Sequence, residues 1–563
     1  MKKVTLTAPA LALAIALAGC GSDDSDVASG PASVMPADSP IYFEATIRPE
    51  GEQADDIDAL LSELGELPVI GSVGDPGDLI IDQLESQAAA AGVDFSYADD
   101  IEPWLGERIG ISVVPSDTEE DIVVAAFETT DEEAARESIE GLLQQGGADS
   151  SEEEYEGVTY LTSPSEDFSF GVFDGHAVFA TPDAFEDAVD ASGGDSLGSN
   201  DKLADATESL DDGSLVSFYL DLAQFEQFAD SPEDAEEFEQ AQAIVPEFFE
   251  GAVAFSAGVS ASDQIFIDYS TPLIEGQPEA GASALLDTAP GDALGAFALE
   301  DIGGFGPPIV DLFERALEEG ADLGDDYPEE GIEQAFEDET GVPFADAAEA
   351  IGDASLYLRG DLPDGFEVGG EIAVSDTEVA TELIEAIEAQ IEEDGTAKLG
   401  PPVGGSDVGF SALERGGGPG TLGVSGYSGE DEFEVGSTSA SGESDLPFTN
   451  VELDGEVVRY GFYRDEEAAE ASDPDGAGDF SETETYASGQ EAIGDDFEYL
   501  GAVDLQPILE EFLPTPGLDE AILGGSPEDL IGGFIAQKLG VVAFGQRYED
   551  DVAVTRYLLK LSE

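Results

Sequence analysis

A chain with one histidine and one cysteine can build few kinds of nucleophilic centre. The histidine is His176, just past an Asp174-Gly175 turn, and any Ser-His-Asp triad has to use it. Gly194-Asp195-Ser196-Leu197-Gly198 spells Gly-x-Ser-x-Gly, but it lacks the preceding strand and following helix that make a nucleophile elbow. With 67 glycines a chance match is expected, and the sequence assigns His176 to a surface turn. Gly418-Pro419-Gly420-Thr421-Leu422-Gly423 matches Gly-x-Gly-x-x-Gly in letters, without the strand and helix that would seat a pyrophosphate. Carboxylates are the abundant chemistry. There are so many that a glycosidase-type pair could be drawn almost anywhere, and none is singled out. The best-spaced set is Asp473, Asp475, Asp479 and Glu482. With Gly476 at the sharp turn they take positions three, five, nine and twelve of an EF-type loop, a donor set for Ca2+. Position one is Ala471 and no clear helix follows, so a solvated acidic loop is the default reading. Trp104, the single tryptophan, sits between Pro103 and Leu105. It is either an exposed binding anchor or a core plug, and core is the commoner fate of this residue.

The elements that would position these groups must come from a chain of 563 residues, 41% hydrophobic, with 31 Phe and 15 Tyr. That is enough apolar material for two to four domains with real cores. Against 130 Asp and Glu stand 16 Lys and Arg, a formal charge of −114. Such a surface repels nucleic-acid phosphates and anionic headgroups, which excludes nucleic acid as a partner. The acids are spread over nearly every segment, so adaptation to high salt explains them better than a dedicated cation site. Without a second cysteine there is no disulfide and no thiolate metal site.

From Pro40 onward the same order of elements is read twice. Strand 41–47, helical stretches near 54–64 and 77–91, and Gly92-Val93-Asp94-Phe95 lead to Leu105-Gly106-Glu107. Strands at 109–114 and 122–129 and a helix over 131–145 follow. In the second pass, strand 294–299 and helices near 306–319 and 329–339 lead to Gly341-Val342-Pro343-Phe344 and Ile351-Gly352-Asp353. Strands at 354–359 and 367–374 and a helix over 376–393 complete that stretch. Asp-Gly hairpins at Asp174-Gly175 and Asp454-Gly455 continue the parallel. So do closing antiparallel pairs, 252–259 with 265–269 and 541–546 with 552–559. The expected fold is α+β: two duplicated lobes with mainly antiparallel sheets and flanking helices. The halves are placed at 40–275 and 286–563, with a Gly/Ser-rich insertion at 395–446 in the second.

The first twenty residues carry an address. Lys2 and Lys3, a short apolar run, and Leu17-Ala18-Gly19-Cys20 resemble the lipobox of bacterial lipoproteins. The resemblance implies cleavage of a signal peptide, 1–19, and lipid on the Cys20 sulfur, with 20–39 as a flexible acidic tether. Three stretches resemble an uncharacterised family of exported bacterial proteins, the DUF3352 type: Asp99 to Gly106, Pro36-Ala37-Asp38-Ser39-Pro40, and Phe173 to Val178. That family has no established activity, so the resemblance implies export and architecture rather than mechanism. The resulting expectation is a non-enzymatic protein on the extracytoplasmic face of the cell membrane, held by the lipid on Cys20, that binds a ligand or an envelope protein. The alternatives are a carboxylate-dependent hydrolase acting on cell-envelope polymers and a purely structural envelope protein.

Overall fold

The chain forms helices and strands in similar measure, and a computed structural model shows how the strands pair. It describes residues 30–562, leaving out 50, 66–80, 82–84, 87, 91, 115–121, 148–149, 164–167, 209, 212, 229–231, 275, 280, 319–330, 362–364, 395–397, 401–407, 414–447, 464–477, 513–537 and 550–551. Two compact units are present: Met1–Glu279 with Asp311–Leu323 and Ala487–Glu563, and Ala280–Val310 with Gly324–Tyr486. Each is α+β, with antiparallel strands and flanking helices.

Among the described residues, ten strands lie before position 280. They are β1 (Ile41–Thr46), β2 (Leu105–Val114), β3 (Ile122–Thr129), β4 (Ser151–Tyr155), β5 (Val158–Ser163), β6 (Phe168–Phe173), β7 (His176–Ala180), β8 (Ser214–Asp221), β9 (Ala252–Ala261) and β10 (Gln264–Pro272). The other unit holds β11 (Ala293–Leu299), β12 (Ile351–Asp361), β13 (Gly365–Val374), β14 (Lys398–Gly400), β15 (Val408–Leu413), β16 (Phe448–Asp454) and β17 (Val457–Tyr463). The chain then supplies the first unit with β18 (Glu498–Asp504), β19 (Leu539–Glu549) and β20 (Val552–Leu561). Pairing in the first unit runs β4-β5-β6-β7-β3-β2-β1-β8-β9-β10-β20-β19-β18, antiparallel throughout. In the second it runs β11-β12-β13-β17-β16-β15-β14.

The turns follow from local chemistry. Asp174 and Gly175 take φ of 46° and 74° between the paired residues Phe173 and His176. Both central residues thus have the positive φ of the turn that suits the strand twist, as an Asp-Gly dipeptide prefers. The helix Glu132–Gly146 starts where the Asp131 carboxylate accepts from Ala134 N at 3.0 Å, and ends at Gly147 in the left-handed region. The helix Pro182–Gly193 has proline in its first turn and buries Ala184, Phe185, Ala188 and Val189, one face at helical spacing.

Cores lie on both faces of the first sheet. On one, Tyr42, Val124, Ala126, Val178, Tyr219 and Ala254 pack with Phe185 and Leu203 of two helices. On the other, Ile109, Phe127, Phe170 and Ala177 pack with Ile139 and Trp104. One boundary read from the sequence moves. Residues 30–39 are not tether: Pro31–Val34 form a 3-10 turn, and Ala32, Val34 and Met35 are fully buried in the first core. Met35 O accepts from Leu197 N at 3.0 Å, and Ala37 O from Asn200 Nδ2 at 3.0 Å. The small, acidic composition of 21–39 hid this, because Pro31-Ala32-Ser33-Val34-Met35 is too short an apolar run to register as an element.

Candidate functional site

Titratable groups converge inside the first sheet. Tyr42 and Glu44 point to the same side of β1, two residues apart, as strand periodicity requires. Tyr42 Oη donates to Glu44, and Arg108 of β2 reaches both Glu44, at 3.6 Å, and Glu128 of β3, at 2.8 Å. Arg108 Nε and backbone N also donate to the two Glu128 oxygens, at 3.0 and 3.1 Å. His176 of β7 pairs with Glu128 across the strands. It is buried, not on the surface as read from the sequence, and its Nδ1 lies 2.7 Å from Asp174 O. Its Nε2 has no hydrogen-bond partner among the described residues.

The electrostatics follow from burial. Desolvation raises the pKa of Glu44, with Arg108 pulling the other way, and pushes Tyr42 well above the ordinary phenol value. Desolvation lowers His176, which therefore favours the neutral imidazole. Burial opposes the Arg108 charge, but Glu44 and Glu128 outweigh it and hold its pKa up. The group is closed by chain as well as by charge. A Cβ at Gly30 would come within 2.7 Å of Arg108 Nη1, and one at Gly110 within 2.5 Å of Pro31 Cβ. One guanidinium thus bridges two carboxylates and ties three strands together, under the segment Gly30–Met35.

The second unit has a comparable group on its own sheet. Tyr357 Oη donates to Glu367 at 3.0 Å, while Arg359 pairs with Glu367 and with Asp292 at 3.4 Å. Arg459 joins Glu371 at 2.8 Å and Asp454 at 3.0 Å. A third group lies where β10 pairs with β20 in the first unit. Arg556 of β20 binds Asp268 of β10 through two hydrogen bonds, 2.7 and 2.6 Å, and Asp211 at 2.8 Å. The rings of Phe266 and Phe497 lie 5.0 and 4.3 Å from its guanidinium carbon. The sequence reading missed all three groups. Their signal is a strand-borne arginine in a chain with only 16 cationic side chains.

The residues singled out from the sequence fall elsewhere. Cys20 lies outside the described residues, as do Asp473 and Asp475 of the calcium set. Asp479 precedes the turn Phe480–Glu482 without a side-chain capping bond, and no group of three or more metal-ligating side chains occurs among the described residues. Trp104 is buried, so it is no exposed anchor. Its Nε1 donates to Asp100 O at 2.6 Å, and its carbonyl accepts from Thr130 N and Thr129 Oγ1, both at 2.8 Å. In the same run Leu105 is core, and Gly106 lets Glu128 approach, since a Cβ there would lie 2.7 Å from Glu128 Cβ. The Trp-Leu-Gly run thus closes the sheet end and seats the Arg108 partner. Ser196 is buried and opens the 3-10 turn Leu197–Ser199, with its backbone N held by Ser199 Oγ at 3.0 Å, which is not a nucleophile elbow.

The first unit also leaves an apolar cluster open to solvent. Ile267 and Tyr269 of β10 and Tyr557 of β20 are 39%, 41% and 44% exposed, on the sheet face opposite Phe266, Asp268 and Arg556. Ile267 pairs directly with Tyr557, whose ring meets Phe544 edge-on at 5.7 Å.

No curated protein matches the chain. Residues 80–296, which include β2 to β10 and the first part of β11, match the model of a family described as protein of unknown function (DUF3352).

Proposed function

We propose that this is a lipid-anchored extracytoplasmic binding protein, built of two duplicated α+β halves and acting without catalysis on a ligand or partner of the cell envelope. Binding is favoured by what stays open to solvent: the aromatic patch of Ile267, Tyr269 and Tyr557, while the concentrated titratable groups are committed to one another inside the sheets. That contrast carries the reading, since exposed aromatic clusters are common recognition surfaces. Duplication is supported by strand order, β1-β2-β3-β7-β6-β5-β4 recurring as β11-β12-β13-β17-β16-β15-β14. Anchoring is supported by Leu17-Ala18-Gly19-Cys20.

The test is native mass spectrometry of the full chain, purified from its own host in high salt, beside an Ile267→Asp/Tyr557→Asp variant. A discrete second mass, or an envelope crosslink, present with the parent and lost with the variant is expected. Identical spectra and crosslinks for the two proteins would refute binding at this face. Anchoring is tested separately: Cys20→Ser should abolish lipid labelling and release the protein, and continued membrane association refutes it.

A further inference from the structure

The two strands that join the N-terminal and C-terminal parts of the first unit's sheet end corresponding hairpins. Ala261 pairs with Gln264 and Glu549 with Val552, each leaving two residues for the turn. Aligned on those turns, Gln264 corresponds to Val552, Tyr269 to Tyr557 and Asp268 to Arg556. In the β10–β20 ladder Gln264 faces Lys560, Tyr269 faces Thr555, and Asp268 faces Arg556. The one residue that faces its own counterpart is therefore the acid, and the counterpart is the base. A pairing of equivalent strands is isologous, with a local dyad between 268 and 556. At that point sits a pair of which Asp268 is 0% and Arg556 8% exposed.

We infer that Asp268 and Arg556 are a charge key that makes β10 pair with β20 and forbids either strand from pairing with its own copy in a second molecule. The inference rests on the duplication proposed above. In a β10–β10 pair in the same register two buried aspartates would meet, and in a β20–β20 pair two buried arginines. Either leaves uncompensated charge in a desolvated site, whereas the mixed pair is neutral and doubly hydrogen-bonded. The hazard is real because 279 residues separate Pro272 from Val552. Until they arrive, β10 is an edge strand whose exposed backbone can template another chain. In this respect Asp268 is a specificity residue for assembly, and Asp211 and the two flanking rings hold its partner in place.

The experiment refolds the full chain, in high salt, at about 1 and about 100 μM and reads mass by light scattering. The parent is expected to return as monomer at both concentrations. Asp268→Leu/Arg556→Met, a neutral pair of similar bulk, is expected to fold but to give dimer or larger mass that grows with concentration. Asp268→Asn, which keeps Arg556 on Asp211, serves if the double variant does not fold, with the same expectation. A folded neutral variant that stays as monomeric as the parent overturns the key and leaves the duplication standing. Crosslinking within the oligomers separates the other failure. Links joining 267 or 269 of one chain to the same strand of another support the inference. Links elsewhere overturn it through the strand equivalence on which it rests.

Discussion

Met35→Ala distinguishes a packed segment from a tether. Met35 has no exposed surface and sits among Tyr42, Val124, Phe185 and Leu197 in the first core. Truncating a buried methionine loses its transfer energy and leaves a cavity, about 2–5 kcal/mol in all. On an exposed tether the same change would stay within about 0.5 kcal/mol. The two expectations do not overlap. Trp104, the sole tryptophan, lies in the core on the other face of the same sheet, so its fluorescence reports that unit during urea denaturation at fixed high salt. With a slope of about 3 kcal/mol per molar urea, the midpoint should fall by about 0.7–1.7 M. Asp38→Asn, four residues on from Val34 but exposed, is the control and should move the midpoint by less than about 0.2 M. If Met35→Ala behaves like Asp38→Asn, the reasoning that places residues 30–35 in the core is wrong.

Two further outcomes follow from the Arg108 group. Gly110→Ala puts a Cβ 2.5 Å from Pro31 Cβ and 2.9 Å from Tyr42 Oη, and overpacking of this kind should destabilise by about 1–3 kcal/mol in the same urea assay; no loss would mean the segment is loosely seated. His176, the only histidine, gives one imidazole resonance, and burial should keep it neutral to lower pH than a free imidazole. Because its folded pKa is depressed, the unfolded chain binds the proton first, so stability falls as pH drops from about 6.5 towards the folded value. The raised pKa of Glu44 acts in the opposite sense above about 4.5, and Arg108, Glu128 and Asp174 complete the surroundings. Against that shared background, His176→Gln should flatten the parent's acid slope, and parallel pH profiles would refute a buried neutral imidazole.

Local order was largely legible in the sequence. The strand over 41–47 is Ile41–Thr46, the helix over 131–145 is Glu132–Gly146, and both Asp-Gly hairpins form, Asp174-Gly175 as the turn itself and Asp454 as the last paired residue before Gly455-Glu456. These features depend on neighbours within a few positions: alternation, a capping Asp131, a residue pair that tolerates positive φ. What escaped depends on partners far along the chain. His176 looks like a turn residue until β3 and β6 are placed on either side of β7. Pro31–Met35 looks like linker until Phe185 and Leu197 supply its cover. Asp268 looks like one acid among 130, and only the register with Arg556, nearly three hundred positions away, makes it distinctive. Carboxylate spacing is a weak guide for another reason, since abundance strips it of information, whereas the rare arginines mark each charged group inside the sheets.

The seating of Pro31–Met35 has a consequence for reach. Ten residue steps separate Cys20 from Gly30, and a chain that long spans at most about 33–36 Å, and about 16–19 Å on average when flexible. Were Pro31–Met35 not seated in the core, the leash would run to Pro40 and be twice as long in contour. With lipid on Cys20, the first unit would stand within a few tens of ångströms of the headgroups, its many carboxylates bathed in the ions gathered there. Molecules that meet it would be those already at the membrane surface, not those that pass at a distance.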